Sequence, residues 1–145
     1  PLRDYRGGRR SRSRCLGLIV IQGVLEAHDG RSWHGVTDLP HLPPAACPPV
    51  FGQPTRPASG AVAPGRGIPE EYSDLLKRRY FKDGASVYGD TGPWRHAAGE
   101  TWVLAAELPD GVRDDERWAA VCDALAPAEA DYGPENVRLV VWFDG

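Results

Sequence analysis

The sequence lacks the short motifs that would identify an enzyme or a cofactor-binding protein. It contains no glycine-rich phosphate loop, no GxSxG elbow and no HExxH motif. Its three cysteines, Cys15, Cys47 and Cys122, form no CxxC pair. An odd number of cysteines far apart in the sequence does not favour a disulfide framework, so we expect a reducing cytoplasmic location. We expect no cofactor, and a non-enzymatic function is favoured.

A long apolar run is also missing. A transmembrane helix needs about 20 consecutive apolar residues, whereas the apolar run at 15–25 is short, and Gln22, Gly23 and Glu26 interrupt it or follow it closely. Arginines precede the run, an order that is typical of an export signal, here over residues 1–27, although the cleavage site would be poor. A lone strand or a disordered segment is the favoured interpretation.

Charge is distributed unevenly along the chain. Residues 1–68 hold nine arginines and four acids, whereas residues 69–145 hold eight Lys/Arg and sixteen acids. The arginines between Arg3 and Arg14 could neutralise phosphates, but Tyr5 is the only aromatic residue among them. Nucleic acid is therefore a poor candidate partner. An acidic domain instead favours another protein as the partner, and a basic protein would complement its charge.

Proline divides the chain. Nine prolines lie between residues 40 and 69, and each fixes φ and removes a backbone donor. We therefore predict a largely disordered segment over 1–68 and a compact acidic α/β domain over 69–145.

Four histidine and cysteine residues of the N-terminal half are possible metal ligands, but their even spacing matches no common zinc pattern, so no metal site is expected. These residues are His28, His34, His41 and Cys47.

Periodic patterns predict an α-β-β-α-β domain, of α+β or α/β class. A helix begins at Pro69 and is ended by Gly84, and a weak strand covers Ala85–Tyr88. A clearer strand covers Glu100–Leu108. A second helix is capped by Asp114 or Asp115, and Pro127 ends it or starts a further turn. Its apolar stripe is Trp118, Val121, Cys122 and Leu125. The last strand, Asn136–Phe143, is apolar on both sides and should be interior.

We expect both helices on one face of a three-stranded sheet, with the last two strands parallel in a right-handed βαβ crossover. The other face, through Val103, Val140 and Trp142, would need cover from the N-terminal segment or from a partner. Residues 16–25 could add a strand beside Val140 and Trp142.

Two functions follow from candidate side chains. The first is a protein–protein interaction module that uses acidic and aromatic surface; by size and charge alone it is similar to small bacterial inhibitor or immunity modules. Its candidate binding residues are Trp94, Asp114, Asp115, Glu116, Tyr132 and Trp142. Whether Trp142 belongs to the core or to the surface stays open at this point.

The alternative function is a small hydrolase or nuclease. His96 lies close in sequence to Asp90 and Glu100, and a histidine beside carboxylates can act as a general base. Composition rich in Arg, Ala, Gly and Pro is typical of a GC-rich bacterial genome.

Overall fold

The computed structural model describes residues 20–52, 60–81 and 97–144, and all structural statements refer to these ranges. Four strands and four helices lie within them, joined by short 3₁₀ turns. The strands are β1 (Val20–His28), β2 (Trp33–Asp38), β3 (Ala97–Leu104) and β4 (Val137–Asp144). The helices are α1 (Pro48–Phe51), α2 (Asp74–Tyr80), α3 (Asp110–Arg113) and α4 (Ala119–Tyr132). The predicted strand at Ala85–Tyr88 falls outside the described residues.

The sheet has four strands in the order β2-β1-β4-β3, and every neighbouring pair is antiparallel. The small mixed α/β class is confirmed, but the three-stranded sheet and the parallel crossover are wrong. β3 and β4 pair directly with each other in opposite directions, with Val103 opposite Leu139. The long chain between them folds back over one face rather than crossing to a parallel strand.

The first strand changes the predicted domain boundary. β1 lies in the middle of the sheet, with Gln22 opposite Trp142 and Val24 opposite Val140. This is the placement that the sequence left open for residues 16–25, of which 16–19 lie outside the described ranges. Both β1 and β2 precede residue 68. The division into a disordered 1–68 and a folded 69–145 therefore does not match the sheet, because β4 takes one of its two neighbours from the N-terminal half.

One face of the sheet carries the larger apolar cluster. Leu25 and Leu139 project from the strands and pack with Trp118, Val121 and Leu125, the stripe that the sequence predicts for the second helix. Trp118 also donates from Nε1 to the carbonyl oxygen of Ala46 at 3.0 Å. At roughly 1.5–3 kcal/mol for each fully buried large side chain, this cluster is the main apolar contribution to folding.

The opposite face carries a smaller cluster, which α2 covers. Val24, Val140 and Trp142 pack there against Leu76 and Tyr80 of α2. Helices thus lie on both faces, and the prediction of helices on one face is wrong. Val103 belongs to the larger cluster and not to the face of Val140, because antiparallel pairing places it beside Leu139.

Part of the proline-rich segment, predicted to be largely disordered, contributes to the core. A 3₁₀ turn at Pro44–Ala46 leads into α1, and Val50 and Phe51 are buried in the larger cluster. Both elements carry proline in their first positions, where the missing N–H has no intrahelical partner in any case. Proline thus starts these short helices, in a segment that was predicted to be largely disordered.

Two helix boundaries also differ from the predictions. α2 begins at Asp74 and not at Pro69, because Ser73 caps it by accepting from the backbone N–H of Leu76. Pro127 lies inside α4, which continues to Tyr132. The predicted cap of this helix by Asp114 or Asp115 is wrong, because Trp118 precedes α4 and no side chain caps it. Asp115 instead caps the 3₁₀ turn Glu116–Trp118, where its side chain accepts from the N–H of Arg117.

The strand predicted at Glu100–Leu108 ends earlier, at Leu104. A 3₁₀ turn at Ala105–Glu107 follows, in which Glu107 accepts from the N–H of Leu104 at 2.9 Å. The outer edge of β3 is partly covered by the chain before α2, since Gly67 N–H donates to the carbonyl oxygen of Glu100 at 2.8 Å. The other edge strand, β2, is largely exposed.

Candidate functional site

A cleft opens on the face of the sheet that α2 covers, beside the segment that leads into this helix. We call residues 66–73 the crossing segment. Trp33 of β2 and Trp102 of β3 line the cleft together with Glu70 and Glu71 of the crossing segment, and its volume is about 430 Å³. We call it the tryptophan cleft. Ligand sites of small molecules commonly have volumes of this order.

Arg138, which lines the tryptophan cleft, belongs to a buried ion pair. Glu26 of β1 and Arg138 of β4 lie directly opposite each other, and Nε of Arg138 donates to Oε1 of Glu26 at 2.7 Å. Glu26 is fully buried and Arg138 is 5% exposed. Burial lowers the pKa of Arg138, and the charge of Glu26 opposes that shift.

The same ion pair holds the crossing segment against the sheet. Oε2 of Glu26 accepts from the backbone N–H of Ser73 at 2.7 Å, and Arg138 donates to the carbonyl oxygen of Glu71 at 2.6 Å. The carboxylate of Glu26 and the guanidinium of Arg138 thus provide hydrogen-bond partners for one backbone N–H and one backbone carbonyl of the crossing segment. The position of Glu70 and Glu71 at the cleft therefore depends on two residues from distant strands.

Trp33 is fixed between two side chains. The guanidinium carbon of Arg138 lies 3.6 Å from the centre of its ring, a stacked cation–π contact. His28, opposite Trp33 in the β1–β2 pair, packs edge-on against it with ring centres 4.9 Å apart. The indole is thereby held at the wall of the cleft and remains partly exposed.

Arg66 holds Trp102 in a similar way. Its guanidinium carbon lies 4.7 Å from the centre of the Trp102 ring. The same guanidinium binds both carboxylate oxygens of Glu107 at 2.8 Å and donates to the carbonyl oxygens of Trp102 and Val62. The hydrogen bonds from Arg66 hold the pKa of Glu107 below its usual value.

A second cleft adjoins the first. Its volume is about 340 Å³, and Trp33, Glu70 and Glu71 line both clefts. Arg31 of the β1–β2 turn and Tyr72 complete much of its wall. The two acids therefore lie between two cavities, each with an aromatic side chain.

The predicted catalytic group is only partly within the described residues. His96 and Asp90 fall outside them, as does Trp94 of the predicted binding set. Glu100 lies on β3 and accepts a short hydrogen bond from the hydroxyl of Tyr80. Burial and this carboxylate raise the pKa of Tyr80.

The remaining predicted binding residues have different environments. Asp114 and Glu116 are exposed, and Tyr132 is 38% exposed at the end of α4. Asp115 is engaged by Arg117 in an ion pair of 2.7 Å, which lowers its pKa. Trp142 is fully buried in the smaller cluster. Its inclusion in an exposed surface is therefore wrong, because α2 covers the face on which it lies.

The histidine and cysteine residues considered for metal binding do not converge. His34 contacts Asp29 in the β1–β2 turn, and His28 packs on Trp33. Cys47 is buried in the larger cluster, and burial raises its pKa to about 12. No group of three His, Cys, Asp or Glu side chains within the described ranges is arranged to hold a metal ion.

The residues of the tryptophan cleft were not singled out from the sequence. Glu26 interrupts an apolar run, and Arg138 alternates with apolar residues in β4. An isolated charge of each sign within two interior strands was the available indication that they pair, but their separation along the chain hides the partnership.

Comparison with known proteins adds no assignment. The chain matches no protein-family model, and no curated protein or solved structure matches it significantly. Among the described helices, none is long and apolar enough to cross a membrane. The functional argument therefore rests on the geometry and charge of the chain itself.

Proposed function

We propose that this chain is a protein–protein interaction module that binds a basic partner through acidic surface. The observation that carries the proposal is the charge of residues 110–135, which hold eight acids and two arginines. Both arginines are already paired, Arg113 with Glu129 and Arg117 with Asp115. Six acids form no ion pair within the described part of the chain; we call them the acidic face: Asp110, Asp114, Glu116, Asp123, Asp131 and Glu135.

The shape of the surface supports contact with another macromolecule. α4 has 14 residues and is about 20 Å long, and two of the six acids, Asp123 and Asp131, are exposed on it. Between its acids the exposed positions of α4 are mainly alanine, including Ala120, Ala126 and Ala130. Small side chains allow a partner to approach the helix closely, while Tyr132 supplies an aromatic group at its end.

Such a surface attracts a basic partner over a long range. Several like charges on one protein surface sum to a potential that accelerates association with an oppositely charged surface. An inhibitor- or immunity-like role, in which the module covers a basic site of another protein, is the form of the proposal that small size and charge favour. No described contact favours the hydrolase alternative, which stays a prediction for His96 with Asp90 or Glu100.

Binding measurements with a series of peptides of increasing positive charge test the proposal. The full chain is immobilised, and peptides of equal length and graded charge are applied at several salt concentrations. We expect affinity to rise with positive charge and to fall with salt. The double variant D123N/D131N should weaken binding of the most basic peptide by roughly two- to thirtyfold. Affinity independent of peptide charge, or unchanged in this variant, would contradict the proposal.

A further inference from the structure

The fixed arginines at the tryptophan cleft do not leave it positively charged. Arg66 is neutralised by Glu107, and Arg138 is neutralised by Glu26. Their donors are directed to these carboxylates and to backbone carbonyl oxygens. Glu70 and Glu71 are not matched by a further cation at this cleft, although the carboxylate of Glu71 lies close enough to raise the pKa of Arg138. The side chains that line this cleft, with their partners, therefore balance to two negative charges, and Arg31, which lines the adjoining cleft with the same two acids, reduces that to one.

Both tryptophans of the cleft already contact an arginine of the same chain. Each tryptophan carries a guanidinium against its ring, at 3.6 Å for Trp33 and 4.7 Å for Trp102. Guanidinium is planar and weakly hydrated, so it can stack on an indole while it binds a carboxylate with two parallel hydrogen bonds. An ammonium group is a compact, strongly hydrated charge and suits such a wall less well.

The cleft is also preorganised. The crossing segment is tied to the sheet near both ends, by Gly67 to Glu100 and by Ser73 to Glu26. Ile68 and Pro69 add an apolar side to the cleft, against which the aliphatic part of a long side chain can pack. Ordering costs on binding are lower when the receptor groups are already fixed.

We propose that the tryptophan cleft is a recognition site for an arginine side chain of a partner polypeptide. The guanidinium group binds the carboxylates of Glu70 and Glu71, and the indoles of Trp33 and Trp102 flank it. The volume of about 430 Å³ exceeds that of a single guanidinium, so the side-chain stem and adjacent backbone enter as well. This site does not use the residues of the acidic face and stands independently of the proposal above.

The test uses the full chain labelled with ¹⁵N and a blocked peptide that contains two arginines separated by glycine. Indole N–H resonances are followed by NMR during titration. We expect saturable shifts at Trp33 and Trp102. The indole of Trp118 is the internal control, because it is buried and bound to Ala46. A lysine peptide should bind several-fold more weakly, and a citrulline peptide, which keeps the shape and removes the charge, should not saturate.

Two double variants separate this site from general charge attraction. E70Q/E71Q should reduce affinity for the arginine peptide about tenfold or more. D123N/D131N removes the same charge from α4 and should leave the affinity unchanged within about twofold. An unshifted Trp118 resonance in each variant verifies an intact fold.

Three results would overturn the inference. These are equal binding of the citrulline peptide, equal weakening by the two double variants, and arginine-induced shifts at Trp118 as large as those at Trp33. Loss of charge-dependent binding at the acidic face, with arginine binding retained at the cleft, would contradict the proposed function alone.

Discussion

Breaking the buried ion pair should strongly destabilise the protein. In Glu26→Leu, the charge of Arg138 stays buried without its main partner, and the N–H of Ser73 loses its acceptor. Removing one member of a buried pair costs about 3–5 kcal/mol. Since single domains are stable by about 5–15 kcal/mol, this single change removes a large part of the free energy of unfolding. Arg138→Leu should have a comparable effect.

The double variant E26L/R138L should be more stable than either single variant. Replacing a buried ion pair by apolar groups commonly stabilises by about 1–4 kcal/mol. Here the replacement also leaves two backbone groups unsatisfied, the N–H of Ser73 and the carbonyl of Glu71, at about 1–3 kcal/mol each. The net loss is about 1.5 kcal/mol, far below the sum of about 6–10 kcal/mol for the two single variants.

Urea denaturation followed by circular dichroism and tryptophan fluorescence measures these differences. Asp38→Asn is the control, because the Asp38–Arg79 pair joins β2 to α2 on the exposed surface. That variant should change stability far less. The reasoning fails if Glu26→Leu costs less than about 1 kcal/mol, or if the losses of the two single variants simply add in the double variant.

Three further predictions concern packing, the domain boundary and pH. Gly35→Ala should destabilise by about 1–3 kcal/mol in urea, because its new Cβ would lie 2.4 Å from Cβ of Leu75, whereas Gly111→Ala, with open space around it, should not. A fragment of residues 69–145 should be unfolded by circular dichroism and residues 20–145 folded, since only the longer one contains β1; a folded short fragment would refute the sheet order. Glu107→Gln should reduce stability at neutral pH. The lowered pKa of Glu107 contributes stability above its unfolded value of about 4.3. Because that contribution is lost as pH falls through the folded value, thermal melts of E107Q and the parent should converge in acid.

Local patterns predicted the C-terminal elements well. β4 was predicted because Val137, Leu139 and Val141 alternate with residues that also become buried. The stripe of α4 was predicted because Val121 and Leu125 lie on one side of a helix. In both elements the buried residues recur at the period of the helix or strand itself. A short window of sequence is therefore enough to recognise them.

The structure of the N-terminal half could not be predicted from local sequence for two physical reasons. β2 is an exposed edge strand, so it does not need an alternating apolar face. Without that alternation its sequence resembles that of a loop. In β1, Glu26 interrupts the apolar pattern, and only its pairing with Arg138 makes its burial possible. The tryptophan cleft combines Trp33 and Trp102 with these residues, and no local period connects side chains from separate strands.

The central pairing of β1 with β4 has a consequence for how fast the fold can form. These strands are more than 100 residues apart along the chain. Closing a loop of that length costs about 4 kcal/mol of entropy before the pairing contributes anything. Such non-local topology is associated with slow folding. On the ribosome, β1 must wait unpaired on its β4 side until nearly the last described residue has emerged. During that interval its apolar residues are open to the wrong partner, so yield in the cell should depend on synthesis rate and chaperones.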